Sequence, residues 1–303
     1  MKKLIDYIPE FIRYCKIEKG LSVNTLKSYR ACLETFAGFL LENKIESILP
    51  EDLTKDHIWQ YRLWLDNSER KPITQSLYLI ALRQFVSYLS EQDVECLSPD
   101  KIKLPKIEHK IIRTLQLTDI QILLSKIDRL THRGLRDRAI LESLFSTGLR
   151  LAELIALDRI NFEKAEEKEM ELSIMGKGGR IRTVYFSDRC MKYIKMYLLN
   201  RKDDEPALFY ARYGGGVHRI SPRAVQNILK IHLREAGLSE DITIHTLRHS
   251  YATDLLASGV DIRFVQEMLG HSDPKTTARY THVTNKQLRD IHKKFHSGNK
   301  LKD

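Results

Sequence analysis

At 303 residues the chain is long enough for one large or two ordinary domains with apolar cores. With 42% hydrophobic and 30% charged residues, and no apolar run near the ~20 residues of a membrane span, it reads as a globular cytoplasmic protein with no membrane partner. The 50 Lys+Arg against 40 Asp+Glu leave a formal charge of +10, which suits a polyanion such as nucleic acid without requiring one.

The N-terminal "MKKLIDYIPEF" meets Asp6, Pro9 and Glu10 too early for a signal-peptide core. Cys15, Cys32, Cys96 and Cys190 lie far apart with no CxxC pair, so neither a disulfide framework nor a zinc site is indicated. Leu4, Ile8, Phe11, Ile12 and Cys15 recur at helical spacing. A second helix opens with Ser22 as N-cap and lines up Leu26, Tyr29, Leu33, Phe36 and Leu40. Two more are predicted around Thr54–Leu65 and Thr74–Ser90, the last with Leu77, Ile80, Ala81, Gln84, Phe85 and Tyr88 mostly on one stripe. Residues 1–95 therefore form a four-helix domain.

The period stops over 96–114, a linker rich in Lys101, Lys103, Lys106, Lys110 and Arg113. Such a linker is solvated; whether it also lies along a phosphate backbone stays open. Helices resume at Thr118 and run through "GLRDRAILESLFSTGLRLAELIAL", which puts Arg150 at the end of an apolar helix with Glu153 three residues on. Met170, Leu172 and Ile174 then alternate, a Gly-Lys-Gly-Gly turn follows, and Ile181, Val184, Tyr185 and Phe186 continue an extended pattern. This is a β-hairpin with Lys177 at its tip. In "SPRAVQNILKIHLREAG", Ser221 caps a helix with Pro222 at its first position and Val225, Ile228, Leu229 and Leu233 on its apolar face. Arg223, Gln226, Lys230 and Arg234 fall opposite, either a groove-reading face or a solvated charged one.

In "IHTLRHSYATDLL", His245, Arg248 and His249 share one face of a helix if it starts early enough. Thr246 stands where an HExxH site needs its glutamate, and no third ligand is spaced nearby, so metal is rejected. "MGKGGR" is not a phosphate loop, because GxxxxGK[ST] would need other residues than Glu171 and Gly178. Taken one at a time, these arginines and histidines also suit surface clusters and helix junctions. Together, Arg150, Lys177, His245, Arg248, His271 and Tyr280 make a cationic set with one nucleophile and no acidic cluster to hold Mg²⁺. Such a set can break a phosphodiester without metal. Tyrosine attacks phosphorus, guanidiniums neutralise the growing charge, and a lysine or histidine protonates the leaving hydroxyl.

The order R…K…H-x-x-R…H…Y, with "TGLRLAEL", "GKGG" and "HTLRHSYATDLL" running on to "LGHSDPKTTARYTH", strongly resembles the tyrosine site-specific recombinases, nearest their compact Xer-type and integrase members. It covers nearly all of 111–292, is densest over 242–282, and is weaker over 1–95. The resemblance implies a mainly α fold with a small β-hairpin or sheet. A four-helix N-terminal DNA-binding domain (1–95) and a linker (96–114) would precede a mixed α/β catalytic domain (115–285), with a tail (286–303) docking on a neighbouring protomer.

It further implies that Tyr280 forms a 3′-phosphotyrosyl bond, Arg150 and Arg248 bind the scissile phosphate, and Lys177 is the general acid. His245 would assist proton transfer, His271 would hydrogen-bond the phosphate, and Glu153 would buttress Arg150. Asp254 stands where relatives often have His, and Arg180 where they often have Lys; neither touches the six. Candidate DNA contacts are Lys101, Lys103, Lys106, Arg223, Gln226 and Lys230. Expected partners are a double-stranded recombination site, a homo-tetramer on synapsed DNA, and an accessory or partner recombinase. No cofactor is called for.

Gly270 should end one helix before His271, and Asp273–Pro274 should start a short one carrying Tyr280. Leu288, Ile291 and Phe295 keep helical spacing in the tail, where His292 and His296 sit four apart, and a tail helix of that kind could equally pack on its own domain. Chromosome or plasmid dimer resolution is the expected role, since no arm-binding domain precedes residue 1. Mobile-element or phage integration and a catalytically degenerate DNA-binding regulator are the alternatives. A type IB topoisomerase is disfavoured by the helical first domain and the "LGHS…YTH" block.

Overall fold

The structure, a computed structural model, describes residues 2–105, 114–163, 170–176, 179–270, 291, 292 and 294–296. The chain divides into two compact units, Met1–Lys110 and Ile111–Asp303, each with its own apolar core.

In the first unit a 3₁₀ turn, Leu4–Tyr7, runs into α1 (Ile8–Ile17), where Pro9 falls in the first turn and removes no intrahelical hydrogen bond. Helix α2 (Val23–Glu42) is capped as expected, with the Ser22 hydroxyl accepting from the Thr25 amide at 3.3 Å. Thr54 caps α3 (Lys55–Asn67), and Pro72 is the first residue of α4 (Pro72–Glu91). Between the helices Phe36 meets the Tyr61 ring edge-on at 4.9 Å, while Phe11 meets Phe85 at 5.5 Å.

The stripe predicted for α4 needs correction. Leu77 is 42% exposed and Gln84 is exposed, whereas Leu79, Leu82, Val86 and Leu89 are buried with Ala81, Phe85 and Tyr88. Apolar residues cover more than half of this helix, so spacing alone does not say which arc meets the core. The linker expected from residue 96 also begins later. Ile102 is fully buried in the helical core, Cys96, Leu97 and Leu104 pack on it, and the Arg83 guanidinium donates to the Ile102 carbonyl. A short aperiodic segment can cover a core edge without being helical. Lys101 and Lys103, on either side of Ile102, remain exposed.

The second unit contains α5 (Leu117–Ser125), α6 (His132–Thr147), α7 (Leu151–Ile155), α8 (Ile160–Glu163), β1 (Met170–Met175), β2 (Ile181–Phe186) and α9 (Asp188–Leu199). There follow β3 (Tyr210–Tyr213), β4 (Gly216–Arg219), α10 (Pro222–Glu235), α11 (Ile244–Ala257) and α12 (Ile262–Leu269). Helix α6 is its axis, buried on almost every side and packed against α9, α11 and β2. Its two central charges are matched, with Arg138 and Arg189 each donating to the Glu142 carboxylate at 2.9 Å.

The predicted hairpin is present, β1 pairing antiparallel with β2 from Met170 opposite Phe186 to Met175 opposite Ile181. A second hairpin, β3–β4, escaped the sequence reading. Gly214 and Gly215 both take positive φ (57° and 77°) and make its two-residue turn. Helix α10 matches expectation: Ser221 accepts from the Ala224 amide, Val225, Ile228, Leu229 and Leu233 are buried, and Arg223, Gln226 and Lys230 are exposed.

Beside the main core lies a smaller cluster of Tyr185, Tyr251, Leu255, Val265, Met268 and Leu269. Ile291 and Phe295 of the tail pack against it within the same chain, and His292 and His296 are buried. Among the described residues no helix is long and apolar enough to cross a membrane.

Candidate functional site

The break between α6 and α7 is what aims Arg150. Gly148 ends α6 in the left-handed region at φ 60°, where an L side chain is strained, and its amide closes on the Leu144 carbonyl. A Cβ there would also lie 2.6 Å from Tyr251 Cδ1. The chain restarts two residues later with Arg150 as the N-cap of α7, so Arg150 begins a helix rather than ending one. Its own amide donates to Glu153 Oε2 at 2.7 Å and its Nη1 to Glu153 Oε1 at 3.0 Å. Its Nη2 reaches the Gly270 carbonyl at 3.3 Å.

Thr243 caps α11 one residue ahead of Ile244, early enough to put His245, Arg248 and His249 all on the helix. Arg248 is buried, and its guanidinium bridges two chain ends, donating to the carbonyls of Gly148 and Leu269. Burial first, then the charges of Arg150 and Arg182, lower its pKa to about 10, which leaves it cationic at neutral pH. His245 is exposed and sits 4.5 Å, ring to ring, from half-buried His249. Burial, then His245 and Arg248, keeps His249 below the usual imidazole range.

Glu153 is buried, which alone would raise its pKa. Hydrogen bonds from Arg182 and from the Arg150 amide outweigh burial and hold it at about 2, so it is ionised throughout the neutral range. Arg182, on β2, donates at 2.8 Å to each carboxylate oxygen. Two guanidiniums thus bond one carboxylate, and with Arg248 near enough to feel all three charges the centre is net positive. Such a centre can bind a phosphodiester and stabilise the extra charge of its pentavalent transition state.

Two domain models match the chain: "Phage integrase family" over residues 113–287 and "Phage integrase, N-terminal SAM-like domain" over 8–93. A protein named tyrosine recombinase XerD from Listeria innocua is 34% identical, over 96% of this chain and 98% of the relative. XerD of Lacticaseibacillus casei is 35% identical, over 95% of this chain and 98% of the relative. The chain belongs to the phage integrase family, as a Xer-like tyrosine recombinase that carries out site-specific recombination.

Solved structures agree with the recombinase in fold. The Tn1549 transposon integrase, in complex with circular intermediate DNA, superposes with a TM-score of 0.70 at 16% identity, covering 96% of this chain and 99% of its own. XerH site-specific recombinase, bound to difH substrate, gives 0.66 at 22% identity, covering 93% and 83%.

In the recombinase Arg150, Glu153 and Arg248 come together around the end of α12, and His245 lies three residues before Arg248 on α11. Lys177, His271 and Tyr280 lie outside the described residues, as does Lys106. Gly176 and Gly270, their immediate neighbours at 177 and 271, are described, and Gly270 ends α12 in the left-handed region at φ 62°. The sequence reading missed Arg182. Its signal was strand parity: residue 182 pairs opposite buried Ile174 and shares its face with Val184 and Phe186, where a charged residue requires a buried counter-ion.

Proposed function

We propose that the recombinase cuts and rejoins DNA strands through a 3′-phosphotyrosyl bond on Tyr280, as a Xer-type enzyme of chromosome or plasmid dimer resolution in the cytoplasm. The observation that carries this is the meeting of Arg150 and Arg248, far apart in sequence, on the adjacent carbonyls of Gly270 and Leu269. The chain runs directly from that point into His271 and on to Tyr280. A net cationic centre beside a tyrosine-bearing segment suits phosphoryl transfer.

The Tyr280 phenolic oxygen attacks phosphorus as its proton passes to His245 or solvent, the P–O5′ bond breaks, and the 5′ oxygen takes a proton from Lys177. Arg150 and Arg248 stabilise the charge on the non-bridging oxygens, His271 adds a hydrogen bond, His245 assists the proton transfer, and Glu153 holds Arg150. Attack by a 5′-hydroxyl of the partner strand on the phosphotyrosine reverses the step and joins the new pair. One ester replaces another at each stage, so no nucleotide is consumed.

The helical first unit and the second, catalytic unit both contact the duplex. Lys101, Lys103 and Lys106 meet phosphates, and Arg223, Gln226 and Lys230 present the exposed face of α10 to it. Four copies act on two synapsed sites, with the tail of 286–303, whose Ile291 and Phe295 pack on their own chain in the single protomer, passing to a neighbour in that assembly, and an accessory or partner recombinase joining where one is needed. The test is a covalent trap: duplex fragments selected for binding from random DNA are nicked and incubated with protein and EDTA, then resolved under denaturing conditions. A DNA-linked band from the wild type that is lost in Tyr280→Phe, with DNA binding kept, is the expected result. Tight binding without any adduct on a scan of nick positions would instead favour the degenerate regulator.

A further inference from the structure

Arg182 performs none of the steps above, yet its guanidinium makes three hydrogen bonds beside the residues that do. Its Nη1 and Nη2 form a fork on Glu153, both at 2.8 Å, and its Nε donates to the Met268 carbonyl at 3.0 Å. Only 8% of the side chain is exposed. Each oxygen of Glu153 then accepts twice. Oε1 takes Arg182 Nη1 and Arg150 Nη1, and Oε2 takes Arg182 Nη2 and the Arg150 amide. A carboxylate has about four lone-pair directions, so this one is fully used and cannot turn without losing bonds to both arginines.

Two glycines close on the same guanidinium. A Cβ at Gly176 would stand 3.3 Å from Arg182 Nη1, and one at Gly270 would stand 2.9 Å from Arg182 Cδ. Gly176 precedes Lys177, and Gly270 precedes His271. One side chain therefore touches the start of α7, the hairpin beside its tip, and the end of α12.

We propose that Arg182 is a positioning residue for strand cleavage: by clamping Glu153 it fixes the direction of Arg150, and by its contacts at Met268, Gly176 and Gly270 it sets three active-site segments in one frame. This rests on the phosphotyrosyl chemistry proposed above. Arginine is needed rather than a generic cation, because an ammonium cannot make two parallel bonds to a carboxylate and a third to a carbonyl from one rigid plane.

The experiment compares the full-length wild type with Arg182→Lys, Arg182→Met, Glu153→Gln and the Glu153→Gln/Arg182→Met pair on the nicked duplex selected by the wild type. Single-turnover adduct formation is followed from pH 5 to 9, with DNA affinity and thermal melting measured alongside. Arg182→Met should slow cleavage about 10²-fold, the scale of a misplaced reacting group, with affinity within a few-fold of wild type. Arg182→Lys should recover little of that loss. Without the fork, burial of Glu153 is less opposed, so the acid limb that this group sets, below the measured range in the wild type, should move up into that range in both variants. In the Glu153→Gln background the further loss from Arg182→Met should largely disappear, since the clamp has nothing left to hold.

Cleavage by Arg182→Met at the wild-type rate with an unmoved acid limb would overturn the proposal. So would a lowered melting temperature with rate and affinity falling together and the pH profile unchanged, which is the signature of a mere brace. Should the Met variant fail to fold, the Lys variant and its pH profile decide by the same criteria. Absence of any adduct from the wild type would overturn the tyrosine chemistry and this inference with it, whereas a wild-type adduct with undiminished variants overturns the role of Arg182 alone.

Discussion

Arg150 and Arg248 are both arginines in the same centre, but they are held in different ways. Arg150 keeps 34% of its side chain exposed and leans on Glu153, whereas Arg248 is 4% exposed and supplies hydrogen bonds to two backbone carbonyls at helix ends. Truncating Arg248 strands the Gly148 and Leu269 carbonyls in the interior, a loss of roughly 1–3 kcal/mol for such unmade bonds. Arg248→Ala should therefore lower the urea midpoint and abolish cleavage, while Arg150→Ala should abolish cleavage and leave the midpoint within about 1 kcal/mol of wild type. Equal midpoints for the two variants would show that Arg248 does not hold the helix ends together. Arg150 and Glu153 were legible in the sequence because i,i+3 spacing brings them together within one helix start. Arg182 was not, because its partner is 29 residues away and only strand pairing reveals that it faces inward.

At the scale of elements, capping residues and punctuation were read well: Ser22, Thr54, Ser221 and Gly270 end or begin helices where the sequence places them. The arc of α4 that turns inward was read poorly, since a helix rich in apolar residues offers several stripes and only packing against α2 and α1 selects one. At the α6–α7 junction the sequence puts Arg150 at the end of a helix, whereas Gly148 ends α6 and Arg150 starts α7. Two glycine substitutions test how much that break matters. Gly148→Ala forces a side chain into positive φ and against Tyr251 and Leu269, so it should destabilise by about 2 kcal/mol or more. Gly38→Ala lies inside α2 with nothing within 4 Å of the added Cβ, so it should stabilise by about 0.5–1 kcal/mol. Chemical denaturation of the two variants checks both signs, and a neutral Gly148→Ala would mean the junction tolerates a right-handed cap.

For the molecule as a whole, loss of helical period after residue 95 announced a change of unit, but not that Ile102 still belongs to the first core. The tail was the least legible part, because its partners are contributed by four separate elements. His292 is buried beside Tyr185 and Tyr251, stacks on His296 at 4.8 Å, and its Nε2 lies 2.6 Å from the Ser146 carbonyl. A carbonyl can only accept, so Nε2 carries the proton and the ring is held as the neutral donor. Asp254 stands 3.2 Å from the neighbouring His296. Burial first, then the charge of His296, lowers the His292 pKa to about 3, against about 6.5 for an unhindered imidazole. Above pH ~6.5 the ring is neutral in folded and unfolded chains alike, and it contributes its full share of stability. Between pH ~6.5 and about 3 the unfolded chain binds a proton that the folded one refuses, so stability falls by about 1.4 kcal/mol per pH unit, roughly 2 kcal/mol by pH 5. His292→Gln should start less stable at pH 7, having lost ring packing, but should decline less steeply on acidification. Urea unfolding of both proteins at pH 7, 6 and 5 measures the two slopes. Parallel slopes would place the acid-sensitive group elsewhere, and a wild-type slope steeper by about one proton would identify the buried tail histidine as the group that sets how firmly this segment stays docked at low pH.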